Sequence, residues 1–147
     1  MDKAKSALIF HNFWVQDIIF KKNPEYTKND DKPRLDVKFS VTQSEEVEKS
    51  RIIVSIGCEL FEPEFTNKPI PFYLNVVVYG QFGLDAEASE VDDEATKDQI
   101  LKANTVAILF PYVRSIISTI TATANIPPII LPPINTYKLI SGSLKNR

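Results

Sequence analysis

The stretch Ala103–Tyr137, ANTVAILFPYVRSIISTITATANIPPIILPPINTY, decides how the chain is read. It is 35 residues long and holds one formal charge, Arg114. Up to about Ala124 the apolar residues Val106, Leu109, Phe110, Val113, Ile116, Ile117 and Ile120 recur at three- and four-residue intervals. That is the period of a helix with one broad apolar stripe. The opposite side carries Ala107, Ser115, Ser118, Thr119 and Ala122, small enough for a second helix to come close. Pro111 lies inside the pattern, where the lost backbone donor is expected to kink the helix. Asn125 and Pro127 end it. The segment IPPIILPPIN that follows is apolar and holds four prolines, so it can be neither helix nor central strand.

Upstream, Asp85–Asp98 carries seven acidic residues against one lysine. It has no EF-hand spacing and reads as a solvated helix start, with Asp92 or Asp93 as N-cap and acidic side chains suiting the helix dipole. Before it come four strand-like runs. Phe10–Lys22 is rich in aromatic and β-branched residues. Phe10, Trp14, Ile18 and Phe20 share one parity with Asn12 and Gln16, whereas Phe13, Val15 and Ile19 share the other with His11 and Asp17, so both faces come out partly apolar.

Asn23–Lys32 reads as a polar loop. Arg34–Thr42 is the cleanest strand, with Leu35, Val37, Phe39 and Val41 on one side and Asp36, Lys38, Ser40 and Thr42 on the other. Gln43–Lys49 reads as a charged turn, Ser50–Phe61 as the third strand and the proline-bearing Glu62–Pro71 as a loop. Phe72–Leu84 is the fourth strand, where Gly80 and Gly83 mark a bulge or the exit. Four successive strands with short turns favour an antiparallel sheet, and a last short helix is expected over about Asn135–Leu144. The fold class is α+β in a single domain over residues 1–147: sheet about 8–84, long helix about 92–125, crossover 126–134, short helix about 135–144.

The totals narrow the function. The chain has 147 residues, 44% apolar and 24% charged, as a soluble globular domain has. A net charge of −2 argues against a nucleic-acid binder, which carries a basic face. The single cysteine, Cys58, excludes an internal disulfide and fits a reducing compartment, and MDKAKSALIFHNFW lacks the apolar core of a signal peptide. The expected location is the cytoplasm. Ala103–Tyr137 is long enough to raise the question of a membrane span, but Pro111, a mid-segment Arg114 and the Ser/Thr run speak against one.

No residue set suggests catalysis. His11 is the only histidine and has no Cys or carboxylate at metal-ligand spacing; it reads as strand surface. Cys58 falls in register with core residues and reads as a buried, inert thiol. Four unclustered glycines cannot cradle phosphates. Arg114 is expected to be structural, reaching the surface over its stem or pairing with a carboxylate. The expectation is no enzyme, no cofactor and no metal. What remains is the apolar surface of Ile129, Ile130, Leu131 and Ile134, read either as a binding or subunit surface or as the completion of the core.

Ile108–Arg114, ILFPYVR, resembles the ILFPYAR segment of the SecB family of bacterial export chaperones. IPPIILPPIN resembles that family's FPQLNLAPVN crossover loop, Tyr137–Leu139 falls where its last helix begins, and Val15-Gln16-Asp17-Ile18 is similar to its TKDI in strand one. The resemblance implies a four-stranded antiparallel Greek-key sheet packed by a long helix and a short C-terminal helix, assembled as a homotetrameric dimer of dimers. It implies an ATP-independent holdase that binds unfolded preproteins in protein export. The client groove would fall on Leu35, Val37, Phe39, Ile129, Leu131, Ile134, Tyr137 and Leu139. The helix contact between subunits would fall on Val106, Leu109, Val113, Arg114, Ile117 and Thr121.

Family members dock on the translocase ATPase SecA through acidic residues of the outer sheet face. Asp17 keeps one such position, while Lys21 and Asn75 stand where the family has Glu. The alternatives are a SecB-like chaperone dedicated to the antitoxin of a toxin–antitoxin system, or an adaptor or structural protein with the SecB fold.

Overall fold

The computed structural model describes residues 8–27, 34–46, 50–84 and 94–132. Four strands, β1 (Leu8–Lys22), β2 (Val37–Glu46), β3 (Arg51–Leu60) and β4 (Phe72–Leu84), precede one long helix, α1 (Glu94–Thr123). The strands form one antiparallel sheet in the order β1-β4-β3-β2. β2, β3 and β4 form a meander and β1 returns beside β4, which is a Greek key read from its C-terminal end. The expected acidic helix start before Glu94 and the expected C-terminal helix lie outside the described residues.

β1 resolves the parity conflict seen in its sequence. Its pairing with β4 shifts register between Phe10 and Asn12 and again between Val15 and Asp17. Each bulge inserts one residue, His11 and then Gln16, and so flips the faces of everything beyond it. Phe10, Phe13, Val15, Ile18 and Phe20 thereby pair with Phe82, Gly80, Val78, Val76 and Leu74. Directly opposed residues share a face, so all five apolar side chains come to the side where the helix lies. The bulges are on β1, and of the two readings of the β4 glycines it is the exit that fits, since β4 ends at Leu84 beside Gly83. β2 runs to Glu46 instead of stopping at Thr42, because Gln43–Glu46 stay paired with Arg51–Val54.

α1 lies over the two central strands, β3 and β4. The core is the space between them: Ile52, Val54, Ile56, Cys58 and Leu60 from β3, Leu74, Val76, Val78 and Phe82 from β4, and Val106, Leu109, Val113 and Ile117 from α1, all without solvent exposure. Each such side chain contributes about 1.5–3 kcal/mol by leaving water. Leu101–Thr123 is long and apolar enough to cross a membrane, but its stripe packs on the sheet.

The helix continues through Pro111, which stands on the exposed side. It closes in a Schellman motif. Asn125 takes φ 63°, its N–H donates to the Ala122 carbonyl at 3.1 Å, and the Ile126 N–H donates to the Thr121 carbonyl at 3.2 Å.

Two corners close the far end of the sheet. The buried Asn23 donates its N–H to the Pro71 carbonyl at 2.9 Å and its Nδ2 to the Ile70 carbonyl at 2.9 Å. Its Oδ1 accepts the Glu25 N–H at 3.1 Å, so the exit of β1 is tied to the entry of β4. Phe61 leaves β3 in the left-handed region, φ 63°, which costs a non-glycine residue about 1–3 kcal/mol. Its N–H bond to the Asp36 carbonyl, 2.9 Å, and its edge-on contact with Phe72, centroids 5.1 Å apart, hold it there.

Candidate functional site

The site is built around the ILFPYVR segment, whose residues reach four different parts of the chain. Leu109 points straight down onto β4, where Gly80 leaves room for it. Tyr112 reaches β1 and stacks on Phe13 with centroids 3.9 Å apart, and Phe10 joins the cluster at 6.3 Å from Tyr112. Phe110 goes to the other flank and meets Phe39 of β2 edge-on, 5.9 Å between centroids. Arg114, one turn beyond Phe110 on that flank, reaches the crossover. Its Nε donates to the Leu131 carbonyl at 2.7 Å.

Two further helix side chains hold the crossover. Ser118 Oγ donates to the Ile129 carbonyl at 3.1 Å, and Thr121 Oγ1 accepts the Ile129 N–H at 2.9 Å. The Thr121 hydroxyl in turn donates to the Ile117 carbonyl, 2.8 Å away, so this fully buried group is satisfied on both sides. Arg114 is therefore structural, though its partner is a backbone carbonyl and not a carboxylate. The crossover, as far as it is described, is a pinned strap lying along α1. Prolines alone suggest a segment without partners; the three helix side chains supply them.

The strap alternates. Leu131 is buried at 3% exposure and Ile129 is half-buried on the core, while Ile130 between them is 71% exposed. Of the expected groove residues, Val37 and Phe39 are half-buried on the helix side of β2, and Leu35 is exposed just before that strand. The β2 residues and the strap thus flank one side of α1, with Phe110 and Arg114 between them. Ile134, Tyr137 and Leu139 lie outside the described residues. Ile130, Phe110 and Ser118 stand out in the sequence only as members of an apolar or small-residue run, not as groove residues. Their helical and extended phases could have placed them there, once the strap was known to run along the helix.

Five of the six residues expected at a subunit contact are buried within the chain itself, and Arg114 is half-buried. Val106, Leu109, Val113 and Ile117 have no exposed surface and pack against the chain's own sheet, and the equally buried Thr121 bonds to the strap. An apolar stripe reads the same whether it meets a sheet or another helix. The face that α1 leaves open is the small-residue side, Asn104, Ala107, Pro111, Ser115, Thr119 and Ala122.

On the outer face of the sheet, Asp17 is exposed opposite Val77. Its neighbourhood is more aromatic than acidic: Trp14 stacks on Tyr79 at 5.4 Å, and the Tyr73 hydroxyl donates to Glu59 at 2.6 Å. Burial, with a smaller push from the Glu59 charge, raises the Cys58 thiol to about 12, so it is neutral and inert as the sequence suggests. Among the described residues no cluster of His, Cys, Asp and Glu could hold a metal.

Comparison with known proteins fits this architecture. The family model described as preprotein translocase subunit SecB matches residues 2–147. An uncharacterised protein of Methanocaldococcus jannaschii is 42% identical over 146 residues, covering 97% of this chain and 85% of that one. The protein-export protein SecB of Xylella fastidiosa is 39% identical over 70 residues, which is 48% of this chain and 36% of that protein. In structure, the chain resembles a SecB-like chaperone of Mycobacterium tuberculosis solved with a peptide from an antitoxin, with a TM-score of 0.69 at 14% identity over 90% of this chain and 94% of the other. With its Greek-key sheet, its long helix α1 and a family match that runs nearly end to end, the chain belongs to the SecB family.

Proposed function

We propose that this protein is an ATP-independent holdase chaperone of the cytoplasm, binding non-native polypeptide along the flank of α1 between β2 and the strap. The observation that carries this reading is the half-buried Val37 and Phe39 on β2, with Phe39 set against Phe110, together with a strap bonded along the same flank of α1 that turns Ile130 to water. Apolar subsites spread along an extended path suit extended clients, whose burial is driven by area and not by a particular sequence. The clients are unfolded preproteins. Self-association as a dimer of dimers belongs to the same reading. It is supported by the open small-residue face of α1 and by the long edge strand β1, which exposes Ile9, Val15, Ile18 and Ile19.

A second reading, a chaperone dedicated to an antitoxin, draws on the antitoxin peptide held by the mycobacterial relative in fold. The outer face around Asp17 favours it too, since Lys21 and Asn75 replace the acidic residues that SecA docking would use.

The test is stoichiometric suppression of aggregation of a chemically denatured model protein, without nucleotide. Unchanged aggregation at saturating chaperone ends the holdase reading. A pull-down from the host then separates many unrelated clients from one stoichiometric antitoxin.

A further inference from the structure

Arg114, Ser118 and Thr121 all bond to the backbone of the strap and not to its side chains. Ile129 is held through both its N–H and its carbonyl, and Leu131, two residues on, through its carbonyl. Bonds to residues n and n+2 from one side are the pattern a neighbouring β-strand would make. One flank of the helix thus stands in for a strand, and it fixes the phase of residues 129–131. In that phase Ile129 and Leu131 face the core and Ile130 faces water, at 71% the most exposed large apolar side chain among the described residues. A slip of one residue would bury Ile130 and turn its two neighbours out. The hydrogen bonds therefore hold an isoleucine in solvent that the chain's own core could otherwise take.

We propose that Ile130 is the strap's contact for an extended apolar segment of a non-native polypeptide, and that Arg114, Ser118 and Thr121 are positioning residues that keep it turned outward. The first half rests on the chaperone reading; the second does not. Client contact would bury Ile130 without moving the strap, because its backbone bonds are already made.

The test uses thiol accessibility in the full chain. Cys58 is the only cysteine and is buried, so a thiol introduced at the strap is read against a low background. With a maleimide at neutral pH, Ile130→Cys is expected to react roughly tenfold faster than Leu131→Cys. Adding Thr121→Val and Arg114→Met is expected to bring that ratio close to one, and Thr121→Ser to preserve it. Ser118→Ala is the milder variant, expected to narrow the ratio in a chain whose circular dichroism is unchanged. Saturating reduced, carboxymethylated lactalbumin, a permanently unfolded probe, is expected to protect the thiol of the Ile130→Cys variant. A ratio that survives removal of the helix side chains overturns the positioning role. Probe retained on size exclusion with that thiol unprotected overturns the contact. Probe not retained by the unmutated chain overturns the chaperone reading and the contact together, while the ratio still decides the positioning role.

Discussion

Leu109 of α1 sits directly on Gly80 of β4: a β-carbon at Gly80 would lie 2.6 Å from Leu109 Cδ2 and 2.9 Å from Cδ1. Phe82 Cε1 would lie at 2.9 Å as well, so the glycine sets how closely the helix approaches the sheet, and all three atoms belong to fully buried side chains. Gly80→Ala is therefore expected to destabilise by about 1–3 kcal/mol, the usual cost of overpacking a closed core. At Gly57 the added carbon would meet Ser40 Oγ at 2.5 Å, the end of an exposed side chain that can turn away. Urea unfolding of the two alanine variants is expected to rank Gly80 as the costlier site.

Asn23 joins the end of β1 to the start of β4 through two donors and one acceptor. Asn23→Ala leaves the Ile70 carbonyl and the Glu25 N–H without this partner in a part-buried corner. The expected loss is about 1–3 kcal/mol in urea unfolding. A variant as stable as the parent would show that water replaces the side chain.

Thr121→Val keeps the shape of a fully buried side chain and removes the hydroxyl that the Ile129 N–H uses. The expected cost is again about 1–3 kcal/mol, and hydrogen exchange at the Ile129 amide is expected to speed up while that of the central strands keeps its protection.

Phe39→Asp puts a charge beside Phe110 on the flank assigned to client. Affinity for an unfolded probe is expected to fall by about tenfold or more, the factor that about 1.4 kcal/mol sets, with the elution volume of the protein unchanged. Equal affinity would move the client surface elsewhere.

Stability is expected to fall on the alkaline side. Burial first, and then the Glu59 charge, push Cys58 to about 12; burial, the hydrogen bond to Glu59 and its charge do the same to Tyr73, also to about 12. Unfolded, these groups titrate at about 8.5 and about 10. Folding thus favours the neutral forms, and that contribution is whole below the unfolded values and lost as pH rises toward the folded ones. Urea midpoints are expected to be flat from about pH 6 to 8 and to decline above about 9. Cys58→Val should shallow that decline; an unchanged slope would assign it to other groups.

The ILFPYVR segment shows how far local pattern goes. Its helical period, its end at Asn125 and the side-chain alternation of β2 and β3 are written in residue spacing, because helix and strand repeat at periods set by backbone geometry. A satisfied, structural Arg114 could be anticipated from a lone cation in an apolar helix. Its partner, the Leu131 carbonyl, could not, since backbone groups leave no mark in composition.

β1 shows the opposite case. Its two parities conflict in sequence because a bulge is a feature of pairing between strands, and only β4 beside it decides which residue is the extra one. The stripe of α1 was legible as apolar, but its occupant was not. Val106, Leu109, Val113 and Ile117 would serve a second subunit as well as a sheet, and it was the sheet, folded opposite and notched at Gly80, that enclosed them. The sequence by itself determined which stretches hold the helix, the strands and the strap, though not where β2 ends. The tertiary structure decided which side of each faces inward, turning Leu131 in and Ile130 out, because facing depends on hydrogen bonds made to a neighbour distant in the chain.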